Sequence, residues 1–135
     1  CVNEHVLMAS QRNIKLICSG TSAGINADLR LVREMIDNLL QNAIRYNKEN
    51  GTVKVHVTIE NGHPMISVED TGIGIPADQL DRVFERFYRV DKSRSRETGG
   101  TGLGLAIVKH IAELHSAEIA IHSIVDEGTE IVVRF

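Results

Sequence analysis

The chain predicts an α/β fold, a two-layer sandwich in which a mixed, mostly antiparallel sheet of about five strands carries helices on one face. Three observations point to it. Val53, Val55, Val57 and Ile59 alternate strictly with polar residues, the pattern of a strand wet on one face and buried on the other. Asn61-Gly62 then gives a hairpin signal, with Met65 to Glu69 as the returning strand. Two longer stretches, 29–46 and 105–115, repeat apolar residues at helical spacing and supply the covering layer.

The elements follow in order. Val2, Val6 and Leu7 give a weak helical pattern over 2–10. Lys15 to Ser19 reads as a strand, followed by a Gly/Ser/Thr turn at 19–24 and a second short strand at 25–27. Within the first strand, Cys18 sits in an apolar run and is expected to be a buried, reduced thiol. Asp28 is suited to cap the helix that begins at Leu29. Its apolar stripe is Leu29, Val32, Ile36, Leu39, Leu40 and Ala43. After the β-hairpin, Pro76 and Asp78 open a short helix toward Phe84. Residues 92–100 are polar, basic and end in glycine, which reads as a loop. Leu105, Val108, Ile111, Ala112 and His115 mark the second long helix. Strands from Ile119 and from Ile131 close the chain around an Asp126-Glu127-Gly128 turn.

With 135 residues, one domain over 1–135 is expected. A hydrophobic content of 42% is enough for a core without metal or disulfides. The formal charge of -3 and the low aromatic content, 4%, argue against a nucleic-acid partner. Cys1 and Cys18 make no disulfide framework, and the six histidines show no zinc spacing. No signal peptide or run of about 18 apolar residues is present. The chain begins at Cys1 rather than Met and reads as part of a longer protein.

The chemistry concentrates in two glycine-rich stretches, Asp70-Thr71-Gly72-Ile73-Gly74-Ile75 and Gly99-Gly100-Thr101-Gly102-Leu103-Gly104-Leu105. Asp70 falls at a strand end, where its carboxylate either accepts a hydrogen bond from an adenine amine or caps its own turn. The second stretch runs into a helix start. It either brings backbone amides to phosphate or serves as a hinge. It is not a Walker loop, since no Lys-Ser/Thr follows. Together the two stretches suggest a purine nucleotide. Asn38, Asn42 and Arg45 share one helical face. Asparagine is a poor helix former, so this face holds either amide ligands for Mg²⁺ beside a phosphate-binding arginine, or only solvent. Arg86, Arg89, Lys92, Arg94 and Arg96 form either a lid over a triphosphate or a solvated face.

The ordered segments Asn-x-x-x-Asn-Ala-x-Arg-Tyr (38–46), Asp-x-Gly-x-Gly-Ile (70–75), Phe-Glu-Arg-Phe-Tyr-Arg (84–89), Gly-Thr-Gly-Leu-Gly-Leu-Ala-Ile (100–107) and Gly-Thr (128–129) resemble the catalytic ATP-binding domain of sensor histidine kinases. They match the N, F and glycine boxes of the GHKL superfamily, whose Bergerat fold is the sandwich described above. The resemblance covers about residues 14 to 135 and implies ATP and Mg²⁺ as cofactors. It implies Asn42 as the main metal ligand with Asn38 beside it, and Arg45 and Tyr46 along phosphate and ribose. Asp70 would bind the adenine amine, supported by Thr129, in a pocket shaped by Gly72, Gly74 and Ile75. Tyr88 and Arg89, with Arg94, would act from the lid side. Gly100, Thr101, Gly102 and Gly104 would meet the phosphates, and Leu103 and Leu105 would pack near the nucleotide.

Two departures stand out. Ser116-Ala117 replaces the glycine that often ends the second helix in this family. The family's phosphoacceptor segment, His-Glu/Asp-x-x-x-Pro, is absent. The resemblance therefore implies a nucleotide module that passes a γ-phosphoryl group to a histidine on a separate dimerisation domain, with a response regulator downstream. It also implies a monomeric isolated domain, from the cytoplasmic part of a membrane-anchored kinase. Asn38 stands where ATP-hydrolysing relatives carry a glutamate base, which implies little ATPase activity. Two alternatives stay open: a degenerate, non-catalytic nucleotide-binding module, and a protein-serine kinase of the anti-sigma type.

Overall fold

The computed structural model describes residues 2–90 and 101–135. After a 3-10 turn at Val2–His5, the chain forms α1 (Val6–Ser10), β1 (Lys15–Gly20), α2 (Leu29–Arg45), β2 (Thr52–Glu60) and β3 (His63–Asp70). A second 3-10 turn (Ala77–Gln79) precedes α3 (Gly104–Leu114), β4 (Glu118–Ile124) and β5 (Gly128–Arg134). Among the described residues the strands form one sheet in the order β1-β2-β3-β5-β4. β1 runs parallel to β2, and every other pairing is antiparallel. The two-layer sandwich expected from the sequence is the observed architecture. No helix among the described residues is long and apolar enough to cross a membrane.

The core lies where α2 and α3 cover the sheet. Met35, Leu40, Ile44, Val53, Val108 and Val133 are fully buried there. Met35 takes a core position outside the expected stripe, whereas Leu29 at the helix start is 81% exposed because it precedes the part of α2 that reaches the sheet. One carboxylate and one guanidinium fix the ends of α2. Asp28 accepts from the N–H groups of Arg30 and Leu31 at 2.8 and 3.4 Å, as an N-cap should. At the other end Arg12 donates to the carbonyls of Ile44, Arg45 and Asn47 at 2.5–2.6 Å. A cation there satisfies the orphan carbonyls and the negative end of the helix dipole together. Replacing Arg12 by Ala is expected to lower stability by about 2 kcal/mol. Arg12→Lys should recover only part of this, since one ammonium cannot span three carbonyls. Urea unfolding midpoints check both.

α3 ends without glycine through a Schellman motif. Ser116 takes the left-handed conformation (φ 54°), its N–H donates to Glu113 O, and Ala117 N–H donates to Ala112 O. A serine in that conformation is the other way of ending the helix that the missing glycine demanded. The β2–β3 hairpin turns at Asn61-Gly62 with φ of 51° and 80°, a type I′ turn.

Three expectations are corrected. Residues 25–27 form no strand: β1 is the sheet edge, and after Thr21 N–H bonds to Val57 O the chain leaves it for the Asp28 cap. Cys18 is exposed rather than buried. It is in register with buried Val55, but on an edge strand whose later residues the helices do not reach. The helix expected from Pro76 toward Phe84 is only the 3-10 turn at Ala77–Gln79 and further turns. Its bonds all run from i+3 to i, Gln79 to Pro76, Arg82 to Gln79 and Glu85 to Arg82, so the α-helical pattern never starts.

Candidate functional site

A cavity of about 230 Å³ opens between α2, α3 and the ends of β3 and β5, against the roughly 10–15 Å³ that one water needs. It therefore has room for an organic ligand and not only for an ion. The face of α2 supplies Asn38, Asn42 and Arg45, and its C-cap supplies Tyr46. Spacings of four and three bring these side chains to one side of the helix. Asp70 closes β3, and Gly74 and Ile75 follow in the loop. Tyr88, Arg89, Thr101 and Gly102 come from the connection into α3, Gly104 and Leu105 from the first turn of α3, and Thr129 from β5. Gly72 and Leu103 stand outside the cavity wall, Gly72 behind Asp70 and Leu103 at the N-cap of α3. Arg94 and Gly100 lie outside the described residues.

The wall also contains residues that sequence reasoning passed over. Val68 and Ile131 lie two positions from Asp70 and Thr129 on the same strand faces, so period-two alternation could have found them. Gln41 shares the face of Asn38 and Arg45. Ile73, Val83 and Val90 complete the apolar lining, with no local signal that marks them.

Asp70 is the most perturbed group of the site. Burial pushes its carboxyl up from the ordinary 3.8 to about 6. The N–H groups of Gly72 and Thr129 pull it down, and neighbouring Glu69 adds a smaller upward push. Gly72 N–H donates to Asp70 Oδ1 at 2.8 Å, leaving carboxylate capacity directed at the cavity. Asp70, Thr129 and Ser123 are in register across β3, β5 and β4.

At the other end the site is short of acceptors. Arg89 Nε is buried and has no hydrogen-bond partner among the described residues. A buried donor of a charged group left this way costs stability unless a ligand supplies an acceptor. The N-cap of α3 is Leu103, whose side chain cannot cap, so the first amides of that helix keep their donor capacity. Asn38 Nδ2 donates to Glu34 O at 2.8 Å, which fixes its amide and leaves Oδ1 as the free end. A Cβ on Gly104 would stand 3.3 Å from Asn38 Oδ1 and from Asn42 Nδ2, so glycine keeps the space beside both amides open. Neutral amide oxygens beside a helix N-terminus and two arginines form a donor set that fits a hard cation bridged to phosphate. The F-box segment is tied to the second glycine stretch by Phe87 N–H to Gly102 O at 2.8 Å. It is braced by Tyr88 Oη donating to Gln79 Oε1 at 2.6 Å, with Arg82 over the Tyr88 ring.

Comparison with known proteins agrees with this geometry. Residues 27–135 match the family described as histidine kinase-, DNA gyrase B-, and HSP90-like ATPase. The chain is 41% identical over 125 residues to the sensor histidine kinase YkoH of Bacillus subtilis, covering 93% of this chain and 27% of that protein. Among solved structures, the mycobacterial sensor histidine kinase MprB superposes with a TM-score of 0.85 at 26% identity, covering 99% of this chain and 91% of that one. Full-length ShkA, solved in complex with AMPPNP, superposes with a TM-score of 0.83 at 27% identity, covering 98% of this chain and 27% of that one. The chain thus spans about a quarter of the length of YkoH. By its profile match, its sheet topology and these likenesses, the chain belongs to the histidine kinase-, DNA gyrase B-, and HSP90-like ATPase family, as a catalytic domain of the sensor-histidine-kinase kind.

Proposed function

We propose that this domain binds Mg-ATP in the cavity and presents the γ-phosphoryl group to a histidine on a separate dimerisation domain of its parent protein, which then serves a response regulator. The observation that carries the reading is the polarity of the cavity. A lone half-buried carboxylate, Asp70, stands at one end, and Arg89, Arg45 and the uncapped start of α3 at the other. One end is made for hydrogen-bond donors and the other for anions. An adenine nucleotide carries an amine and phosphates at opposite ends. ShkA, a relative of the same fold, was solved with the ATP analogue AMPPNP.

In this reading Asp70 accepts from the exocyclic amine of adenine, and Thr129 supports it. Val68, Ile75 and Ile131 give the base an apolar bed. Tyr46 and Arg45 follow the ribose and the phosphates. Arg89 donates to phosphate oxygens, which supplies the acceptor its buried Nε lacks. Asn42 and Asn38 would hold Mg²⁺, which when bound offsets the charge of the triphosphate. Phosphoryl transfer needs mainly positioning and charge neutralisation, and these residues supply both without a general base. An amide at position 38 cannot take a proton from water, so the bound triphosphate is kept for the histidine of the other domain.

Arg89→Met separates the two ends. It is expected to weaken ATP binding about tenfold while leaving adenosine binding unchanged, both read by isothermal titration calorimetry. Equal losses for the two ligands would remove Arg89 from the phosphate end. For the whole reading, the wild-type chain is titrated with Mg-ATP and then incubated with its own dimerisation domain and ATP. Acid-labile phosphohistidine is the expected product. No binding at millimolar ATP, or no phosphohistidine despite binding, would overturn it.

A further inference from the structure

Ser123 lies outside the cavity wall, yet it meets three parts of the site at once. Its Oγ stands 2.7 Å from Ile75 N, 3.0 Å from Gly128 O and 2.8 Å from Thr129 Oγ1. A serine hydroxyl has one proton to give and two lone pairs. Ile75 N–H can only donate and Gly128 O can only accept. One assignment makes all three contacts hydrogen bonds: the Ser123 proton goes to Gly128 O, and Ser123 Oγ accepts from Ile75 N–H and from the Thr129 hydroxyl. This proton assignment follows from the balance of donors and acceptors. It turns the Thr129 proton away from the cavity and leaves that oxygen with lone pairs only, on the residue directly across the ladder from Asp70.

We propose that Ser123 is a positioning residue for base selectivity. By holding the Thr129 proton, it makes the wall beside Asp70 a pure acceptor surface, and by gripping Ile75 it fixes the loop against that wall. Such a surface favours a purine with an exocyclic amine. It disfavours one with a carbonyl in that place, because two acceptors then face each other unpaired. The inference rests on the reading of Asp70 as the group that meets the adenine amine. Removing the Ser123 hydroxyl frees the Thr129 proton to turn toward the ligand, and the wall gains a donor that a carbonyl can use.

The test compares ATP with inosine triphosphate, which carries a carbonyl in place of the 6-amine and an N1–H in place of the bare N1, by calorimetric titration of this chain. Ser123→Ala is expected to lower the ratio of ATP to inosine triphosphate affinity about five- to tenfold. Ser123→Thr, which keeps the hydroxyl, should retain the wild-type ratio. In a Thr129→Val background, Ser123→Ala should move the ratio no further, since the group it acts through is gone. Should Ser123→Ala fail to fold, Ser123→Cys, whose thiol is a weak donor and acceptor, reads the same ratio. Equal weakening of both nucleotides, or no change in either, would overturn the inference. A wild-type chain that does not prefer ATP over inosine triphosphate would instead overturn the amine-binding role of Asp70, and that result is visible before any Ser123 variant is made.

Discussion

Asp70→Asn is expected to weaken ATP binding by about 10- to 100-fold, the range for losing a hydrogen bond to a charged acceptor, while making the unliganded domain more stable at neutral pH. The two effects have opposite signs for one reason. The carboxylate is partly buried in the cavity wall, and that burial lifts it to about 6 in the fold from 3.8 in the open chain. A carboxyl raised in this way binds its proton more tightly folded than unfolded. Its stabilising contribution is complete below pH 3.8 and is lost as the pH climbs through about 6. Above that, the native state carries a poorly solvated charge worth up to about 3 kcal/mol, roughly two pK units. The asparagine variant escapes this cost. Its advantage in urea unfolding should be largest at neutral pH and shrink toward about pH 4. Wild-type ATP affinity should fall as the pH drops through about 6, with a step absent from the variant. Titrating both proteins with the same nucleotide cancels protonation of the phosphates. A variant that binds ATP as tightly as wild type would remove Asp70 from the base end of the site.

Gly128→Ala is expected to have the largest effect on folding. Gly128 has a φ of 136°, and a Cβ there would lie 1.9 Å from the carbonyl oxygen of Asp70, which is backbone and cannot swing aside. An L side chain meets strain and collision at once, so β3 and the β4–β5 hairpin must separate at the register position that holds Asp70 against Thr129. The loss should exceed about 3 kcal/mol, with ATP binding lost alongside. Gly24→Ala is the control, since nothing lies within 4 Å of its added Cβ. A Gly128→Ala protein with a wild-type urea midpoint would contradict the contact.

Much of the site is legible in the sequence because it consists of local patterns. Asn38, Asn42 and Arg45 need only the helical repeat to share a face, and Asp70 needs only a strand followed by glycines. The sheet is legible for the same reason, since alternation in β2 and the Asn61-Gly62 turn are short-range signals. What escaped depends on contacts between distant segments. Arg12 reaches the end of α2 across more than thirty positions of chain, and a surface-type arginine after a short helix carries no mark of that use. Ser123 looks like any strand serine until Ile75, Gly128 and Thr129 are brought around it. Cys18 was misread because alternation shows which face of the sheet a residue is on, but not whether a helix extends over it. The helix expected after Pro76 stays a run of i+3 to i turns, and just past it Phe87, with its left-handed backbone (φ 64°) and bond to Gly102, answers to the neighbouring segment rather than to its own.

The pairing of β3 with β5 joins two hairpins that are each closed by a tight turn, while the chain between them contains the whole stretch from Thr71 to Ala117, α3 included. Closing so long a loop is entropically slow, whereas each hairpin zips on its own in microseconds. The seam where Asp70 meets Thr129 is accordingly expected among the last contacts to form, so a half-folded chain lacks the cavity.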